Sequence, residues 1–451
     1  MSSISSLDPL ARLAAIANAG SLAPTTLSGA SPHLARWGIT PAADDGVVCA
    51  GLSIGKARVL AAAQDARFLG GSVGAKHGAA LRQLFESAMD ERPDAVALLV
   101  DSGGVRLHEA NAAELALAQA LRALFTVRRA GIPTVAIVTG TAFGGASVLA
   151  AACAHLHFLP GARFGLSGPG VIETTRGAAE LDASDPDAVA GLFGAAARAA
   201  ARIGTLISGD AGSLREAIAA ASRQPARFDR STLATWDASL SRRLTVAGGR
   251  PAAAPASRPA TAIFAEARAV DPLGWLWRVR DSDVHLLRSL APHTFGPAEA
   301  VAIAQSLGEC LPPAAPLVVV EDSAGHATTR AAEELGVSEY LAAHSARLAM
   351  LAMDGHPMLG LLAGCGHSAA FFANALQAAS LDALAGARVE AMAPRAIARV
   401  TRLVEDSLNA LIEDDPLVGQ PVRHLAALGG VARIHADVTR DSLLARLADA
   451  T

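Results

Sequence analysis

The chain has 451 residues, of which 51% are hydrophobic and 18% are charged, and its net charge is −4. This length exceeds what one hydrophobic core usually organises, so we expect two domains with large buried interiors. A nucleic-acid-binding surface needs clustered Lys and Arg to neutralise phosphates. The acidic balance and the absence of a basic run argue against that class of partner.

The four cysteines (Cys49, Cys153, Cys310 and Cys365) lie far apart, without a CxxC spacing. They are typical of reduced thiols in a cytoplasmic protein and predict neither a metal site nor a disulfide framework. The first twenty residues lack the basic start and apolar core of a signal peptide. The uncharged stretch 131–154 is long enough to span a bilayer, but Pro133 and four glycines divide it into strand, turn and helix. We therefore expect no membrane span.

The first motif in chain order is Gly51–Gly55, which matches the GxSxG pattern of a serine nucleophile elbow. That motif requires a strand before the serine and a helix after it. Residues 47–50 are a strand candidate, but no downstream Asp and His stand out as partners. A plain strand or turn is the favoured interpretation, with nucleophilic Ser53 as the alternative.

Three glycine-rich turns follow in the first half, and none carries the GxxxxGK[ST] pattern of a phosphate loop. Glycines at such turns allow the backbone to approach a narrow, pantetheine-like arm. Arg106 is expected either to meet a phosphate or carboxylate or to brace its loop by pairing with Asp101 or Glu109. The candidate substrate-binding residues of these turns are Gly70, Gly71, Ser102, Gly103, Gly104, Arg106, Ser167 and Gly168.

The strongest feature is the segment Gly140–Ser147, which follows a predicted strand at Thr134–Thr139 and opens a helix. Consecutive small residues expose backbone N–H groups at a helix start, where the helix dipole adds partial positive charge. Such a site suits a thioester oxygen that becomes negative as an enolate forms. Gly144 and Gly145 are the predicted donors; the alternative is a tight turn used only for packing.

Residues 248–262 are rich in Ala, Pro and Gly and contain Pro251, Pro255 and Pro259. Proline resists both helix and central strand, so this composition predicts a linker. The predicted domains are residues 1–247 and 263–451.

The two halves repeat each other in the same order. In each copy the residue pattern predicts a strand, a turn and a helix, followed by a second strand, turn and helix. This order indicates a duplicated α/β fold with mostly parallel sheets. The matching stretches are Val96–Gly104 with Leu317–Gly325, Ile132–Ser147 with His356–Phe371, and Gly161–Arg163 with Gly386–Arg388.

The second copy of the glycine turn contains Gly364, Gly366, His367, Ser368, Ala369 and Ala370, of which Gly364 and Gly366 are candidate substrate-binding residues. Ser368 and Ala369 replace Gly144 and Gly145, and backbone donors survive this change if φ is negative; a required positive φ would make it costly. His367 stands opposite Phe143. It is a candidate proton donor, or a donor to a carboxylate, with a polar residue at a domain interface as the alternative.

These motifs carry a family resemblance. The runs Gly70–Glu86, Asp101–Ala112 and Thr139–Ser147 resemble the β subunit of biotin-independent malonate decarboxylase, and residues 264–434 are similar to its γ subunit. The resemblance implies a β–γ fusion of two crotonase-like (ClpP/crotonase) ββα-spiral domains in a duplicated carboxyltransferase architecture. Ala369 stands where that family has glycine, which puts the geometry of the second turn in question.

The resemblance also implies a substrate and partners. The substrate would be malonyl carried as a thioester on an acyl carrier protein, through a prosthetic group derived from dephospho-CoA. A separate α subunit would exchange malonate for acetate on that carrier, within an oligomeric complex. This chain itself would bind no cofactor. By position, Gly144 and Gly145 would form one oxyanion hole and Ser368 to Ala370 the other.

Loss of CO2 from a malonyl thioester leaves an electron pair that the thioester must accept as an enolate. The protein then needs fixed donors for the oxygen rather than a nucleophile. Three alternatives share parts of this pattern. They are a carboxyltransferase that passes the carboxyl group to biotin on a partner protein, a crotonase-type acyl-CoA hydratase or isomerase, and a non-catalytic scaffold for an acyl carrier.

Overall fold

A computed structural model describes residues 4–25, 29–224, 227–255, 261–290 and 294–449. The described residues form two compact units. Unit 1 takes them from the ranges Met1–Arg106, Gln119–Thr232 and Thr328–Ala342, and unit 2 from Leu107–Ala118, Leu233–Ala327 and Ala343–Thr451. Residues 256–260 of the predicted linker lie outside the described residues, and the boundary at 248–262 stays a prediction.

Strands and helices alternate along most of the chain. The strands are β1 (Ala23–Thr25), β2 (Val47–Ile54), β3 (Ala57–Gln64), β4 (Ala95–Ser102), β5 (Thr134–Ala142), β6 (His155–Phe158), β7 (Arg163–Phe164), β8 (Thr205–Leu206), β9 (Ala267–Ala269), β10 (Leu276–Val279), β11 (His285–Leu290), β12 (Leu317–Asp322), β13 (Met358–Leu362), β14 (Cys365–His367), β15 (Leu381–Leu384), β16 (Arg388–Glu390) and β17 (Arg433–His435).

The helices of the first part are α1 (Pro9–Ile16), α2 (Ala75–Glu91), α3 (Ala110–Arg129), α4 (Gly144–Ala151), α5 (Pro169–Arg176), α6 (Pro186–Phe193), α7 (Ala195–Ala200), α8 (Ala211–Ser222) and α9 (Arg230–Val246). Those that follow are α10 (Ala262–Ala265), α11 (Pro297–Cys310), α12 (Arg330–Glu334), α13 (Val337–Met353), α14 (Ser368–Ala373), α15 (Pro394–Thr401), α16 (Glu405–Leu411), α17 (Val422–Ala427) and α18 (Arg440–Asp449). Short 3-10 helices occupy Ile4–Ser6, Leu34–Trp37, Leu69–Gly71 and Ala375–Gln377.

Unit 1 contains one sheet in the order β1-β2-β3-β4-β5-β6-β8, with β7 pairing β5. The pairs β1–β2 and β2–β3 are antiparallel, whereas β3 to β8 pair in parallel. All eight residues of β4 are buried, as expected for a central parallel strand covered on both faces. The core beneath includes Leu52, Leu99 and Ile137 from the sheet and Leu13 and Ile218 from helices α1 and α8.

Unit 2 repeats this plan in the order β17-β15-β13-β12-β11-β10-β9. The pairs β9–β10 and β10–β11 are antiparallel, and β11 to β17 pair in parallel. Its core includes Val318, Leu359 and Leu361 from the sheet with Phe264 and Leu447 from helices α10 and α18. The predicted α/β class with mostly parallel sheets is confirmed.

Local predictions fare unevenly. The predicted strand at Thr134–Thr139 is present and extends to Ala142, and the helix predicted between the turn at residues 102–104 and this strand is α3, Ala110–Arg129. Ser53, in contrast, lies inside β2, which is followed by strand β3 and not by a helix. The GxSxG segment is therefore an ordinary strand, and the nucleophile alternative at Ser53 is wrong. None of the described helices is both long and apolar enough to cross a bilayer.

Candidate functional site: two related turns

The first turn, residues 140–147, joins β5 to α4 in unit 1. Gly144 adopts φ of +54°, and Phe143 provides no side-chain cap for the helix. Gly145 and Ala146 are the second and third residues of α4, so no carbonyl lies one turn before them in the helix to accept their N–H groups. The Gly144 N–H, however, donates to Leu166 O at 2.8 Å. The amide of Gly144 is therefore already engaged, contrary to the prediction that it is an available donor. The uncapped amides are those of Gly145 and Ala146.

Glycine is required where the first turn packs backbone against backbone. A Cβ on Gly104, whose φ is +107°, would lie 3.0 Å from Phe143 O. A Cβ on Gly144 would lie 3.3 Å from the Cα of Gly104. The Phe143 N–H donates to Ser102 O at 3.0 Å, which ties the two loops together. The predicted glycines of these loops thus share one structural purpose, the close approach of two main chains.

An aspartate supports each of the two turns in the same way. Asp101 Oδ1 accepts the N–H of Thr141 at 2.9 Å, and Asp322 Oδ1 accepts the N–H of Cys365 at 2.9 Å. A Cβ on Gly140 or on Gly364 would collide with the carboxylate of the corresponding aspartate. This device explains why the sequence repeat preserves both the Asp and the Gly.

Ser167 and Gly168 lie in a loop that a buried carboxylate organises. The Glu333 carboxylate accepts the N–H of Leu166 at 3.1 Å and that of Ser167 at 2.6 Å, and Arg198 donates to the Glu333 carbonyl at 2.6 Å. Burial raises the pKa of Glu333 to about 7. Because Leu166 O accepts the Gly144 N–H, Glu333 positions the first turn through this loop. No sequence motif marked Glu333, which comes from the range 328–342 of unit 1.

The Arg106 side chain is fully buried and paired, which favours the bracing interpretation over contact with a substrate phosphate or carboxylate. Its side chain forms an ion pair with Asp45 at 2.5 Å, and both side chains are fully buried. Nη2 also donates to Asp45 O at 3.0 Å and to Ser72 O at 2.9 Å. The bracing interpretation holds, with Asp45 as the partner in place of Asp101 or Glu109.

The other candidates of these loops divide by exposure. Gly70 and Gly103 are exposed, and the Gly103 N–H donates to Gly70 O at 2.8 Å. Gly71 is buried and would collide with the Asp101 carbonyl if it carried a Cβ. The hydroxyl of buried Ser102 accepts the Gly104 N–H at 3.2 Å. Gly70 and Gly103 therefore remain open to a ligand, whereas Gly71 and Ser102 shape the loops.

The second turn, residues 364–371, lies in unit 2. Ser368 adopts φ of +55°, matching Gly144, while Ala369 is not among the residues with positive φ. The conformational cost that the sequence suggested for Ala369 therefore falls on Ser368. The Ala369 N–H donates to Ser368 Oγ at 2.6 Å. Gly366 is required for packing, because its Cβ would lie 2.9 Å from the Phe371 ring.

Two histidines accompany the second turn. His326 Nδ1 lies 2.7 Å from Ser368 Oγ, and burial, together with the charge of His367, lowers the pKa of His326 to about 3. Burial also lowers the pKa of His367, and the negative charge of Glu390 acts in the opposite direction. His326 was not predicted, although the repeat places it opposite Val105 and so offered a signal. A partly exposed His367 leaves its predicted role as a donor open.

Within the described residues, no three His, Cys, Asp or Glu side chains are grouped as a metal site. The four cysteines are free thiols. Burial raises the pKa of Cys49, Cys153 and Cys365 to about 12, so these three are protonated at neutral pH.

Comparisons with known proteins match the two halves separately. Residues 19–191 match the family described as the carboxyl transferase domain, and residues 292–451 match the malonate decarboxylase gamma subunit.

Among curated proteins, the chain is 37% identical over 171 residues to the malonyl-S-ACP:biotin-protein carboxyltransferase of Malonomonas rubra, covering 34% of this chain and 54% of that protein. It is 36% identical over 133 residues to the acetyl-coenzyme A carboxylase carboxyl transferase subunit beta of Chelativorans sp. (strain BNC1), covering 29% of this chain and 43% of that subunit. The chain thus spans about half the length of the curated relatives it matches.

Among solved structures, the chain is similar to a chain of a Pseudomonas malonate decarboxylase hetero-tetramer in complex with malonate. The identity is 33%, the TM-score is 0.50, and the match covers 54% of this chain and 91% of that one.

Proposed function

Because the chain belongs to the carboxyltransferase and malonate decarboxylase family, we propose that it decarboxylates a malonyl thioester carried on an acyl carrier protein. Its fold is the crotonase-like one, with two related sheets. We interpret the chain as a fusion of β and γ subunits, since the two family matches fall in successive halves. Its partners would be the acyl carrier protein and an α subunit that exchanges malonate for acetate.

One observation carries the proposal: the first turn of α4, directly after Gly144, has no side-chain cap. As CO2 leaves, the electron pair of the broken C–C bond moves into the thioester carbonyl, and its oxygen becomes negative. The amides of Gly145 and Ala146 are the donors we assign to that oxygen. Fixed amide donors lower the barrier because they need no reorganisation as the charge develops, and one such donor contributes about 2.7–4 kcal/mol. A proton then adds to the α-carbon and gives the acetyl thioester.

The second turn is a poorer oxyanion site by this criterion. Ser368 Oγ already accepts the Ala369 amide, so a thioester oxygen would have to displace the hydroxyl. We therefore assign the oxyanion to the first turn.

The rival activity is transfer of the carboxyl group to biotin on a partner protein. It is favoured by the relative from Malonomonas rubra, which is named as a biotin-protein carboxyltransferase. Both activities begin with the same C–C cleavage and the same enolate, so oxyanion geometry does not separate them. They differ in the fate of the carboxyl group, which becomes free CO2 in one and carboxybiotin in the other.

The test measures CO2 release from malonyl carrier protein by the purified chain, with and without avidin. Release that is unchanged by avidin supports decarboxylation, whereas release that requires a biotin protein and stops with avidin supports transfer. Gly145→Val should lower release by more than about 100-fold, because its side chain blocks approach to the amides. Gly191→Val is the matched control: Gly191 is an exposed residue of α6, and a Cβ there meets no neighbour within 4 Å. Equal rates for both variants would contradict the assigned site.

A further inference from the structure

Among the positions around the turns at which the two copies differ, four change in the same direction. In the repeat register, Val105 is replaced by His326, Phe143 by His367, Gly144 by Ser368, and Gly165 by Glu390. Unit 1 thus has apolar residues or glycine at the positions where unit 2 has groups that can carry, give or accept a proton.

The four polar residues of unit 2 are neighbours. His326 Nδ1 lies 2.7 Å from Ser368 Oγ. His367 on β14 is the register partner of Glu390 on β16, and a charge on His367 acts on His326. Unit 2 therefore brings a hydroxyl, two imidazoles and a carboxylate together beside its turn.

Ser368 is held in a conformation that a serine adopts only under constraint. It follows strand β14 directly and opens helix α14, with φ of +55°. Non-glycine residues at positive φ are uncommon and concentrate at functional positions. A serine on a sharp strand-to-helix bend, with a histidine within hydrogen-bond reach, is the arrangement of an activated nucleophile.

We infer that Ser368 and His326 form an acyl-transfer dyad that cleaves short acyl thioesters through an acyl-serine. Ser368 Oγ forms a bond to the thioester carbonyl carbon, and its proton passes to His326 Nδ1. The C–S bond then breaks, and the thiol leaves with the proton from His326. Water adds to the ester carbon by the same route and releases the carboxylic acid and free Ser368.

The local contacts support the first step, attack by Ser368. The His326 ring is neutral at neutral pH because its pKa is low, so in one tautomer Nδ1 accepts the hydroxyl proton. Ala369 is the residue that follows the nucleophile, where such sites place an oxyanion donor. Its amide donates to Ser368 Oγ in this structure, and it would turn to the carbonyl oxygen once Oγ bonds to the acyl carbon. Ser368 keeps 8% exposure, and Gly364, Cys365 and His367, which precede it in the chain, are partly exposed.

The test uses the full chain and acetyl-CoA, which has no carboxyl group to lose, so the result is independent of decarboxylation. Free thiol is measured with a chromogenic disulfide, and the acylated residue is located by rapid acid quench and peptide mass spectrometry. The wild type should release thiol and carry an acetyl group on Ser368. Ser368→Ala and His326→Gln should each lower thiol release by at least about 100-fold.

Ser53→Ala is the matched control, because Ser53 matches the GxSxG pattern but lies inside strand β2, and its rate should equal that of the wild type. Ser368→Gly keeps the backbone conformation that Gly144 shows in unit 1 and separates loss of the hydroxyl from misfolding. Thiol release by Ser368→Gly at the wild-type rate, or an acetyl group on any other residue, would overturn the inference. So would a wild-type rate no greater than that of Ser368→Ala.

Discussion

At Gly144 and at Ser368 the backbone takes the same left-handed conformation, with φ of +54° and +55°. Each turn follows a glycine packed on an aspartate, Gly140 on Asp101 and Gly364 on Asp322. The two turns differ in the side chain at the left-handed position, Gly144 in the first and Ser368 in the second. The first turn has no side chain at this position and presents amides, whereas the second has a hydroxyl that occupies an amide and contacts His326. The two copies therefore keep the same backbone conformation at this position while a hydroxyl is present in one and absent in the other.

The supports of the two turns also differ, and this gives the largest expected effect on stability. Arg106 follows the loop at residues 102–104, which packs on the first turn, and pairs with buried Asp45. The matching residue in the second copy is Ala327. Arg106→Met should lower the free energy of unfolding by about 3–5 kcal/mol, because it leaves the Asp45 carboxylate buried without its counter-ion. Urea denaturation measures the effect.

Arg67→Met is the control for this change. Arg67 also pairs with an aspartate, Asp65, but its side chain is 68% exposed, so solvent screens the pair and the expected loss is much smaller than that of Arg106→Met. Similar losses for the two variants would contradict the view that the buried pair braces the first turn.

The comparison of the turns can be broken directly by giving the first one the serine of the second. Gly144→Ser should place a hydroxyl on the Gly145 amide, as Ser368 does on Ala369, and lower CO2 release by about 100-fold. Gly144→Ala adds the same Cβ, 3.3 Å from the Gly104 Cα, without a hydroxyl. Steady-state rates for both variants decide the point: if the alanine variant is as slow as the serine variant, crowding and not the occupied amide is the cause.

A smaller effect is expected at Glu333, which organises the loop beside the first turn. Burial raises its pKa to about 7 in the folded protein, so its protonated form is favoured by folding. That contribution is complete below the unfolded pKa of about 4.3 and is lost as the pH rises through about 7. Glu333→Gln cannot ionise. Relative to the wild type, it should therefore gain stability on the order of 2 kcal/mol between pH 5 and pH 8.

Urea denaturation of both proteins at the two pH values measures this gain, and any constant cost of the amide group cancels in the comparison. Glu334→Gln is the control, because Glu334 is 54% exposed and pairs with Arg330 at the surface. A gain of the same size for both variants would argue against a role for burial at Glu333.

Much of the fold was readable from the chain itself. The duplicated strands, the aspartate and the glycine that follow them, and the prolines before β5 and β13 all depend on local geometry, which the residue pattern reports directly. The positions of both turns were predicted for the same reason. The role of Gly144 was not, because its amide is occupied by Leu166 O, and Leu166 belongs to a loop that the local pattern does not connect to the turn.

The sequence by itself determined that two related α/β copies each carry a glycine-type turn at the end of a buried strand. Only the tertiary structure decided what surrounds those turns. It placed Glu333 under the Leu166 loop, Asp45 against Arg106, and His326 beside Ser368, pairs that lie between 42 and 167 residues apart in the chain. The physical reason is that a hydrogen bond or ion pair depends on distance in space. A linear pattern records only the local preferences of the backbone and the spacing of apolar residues.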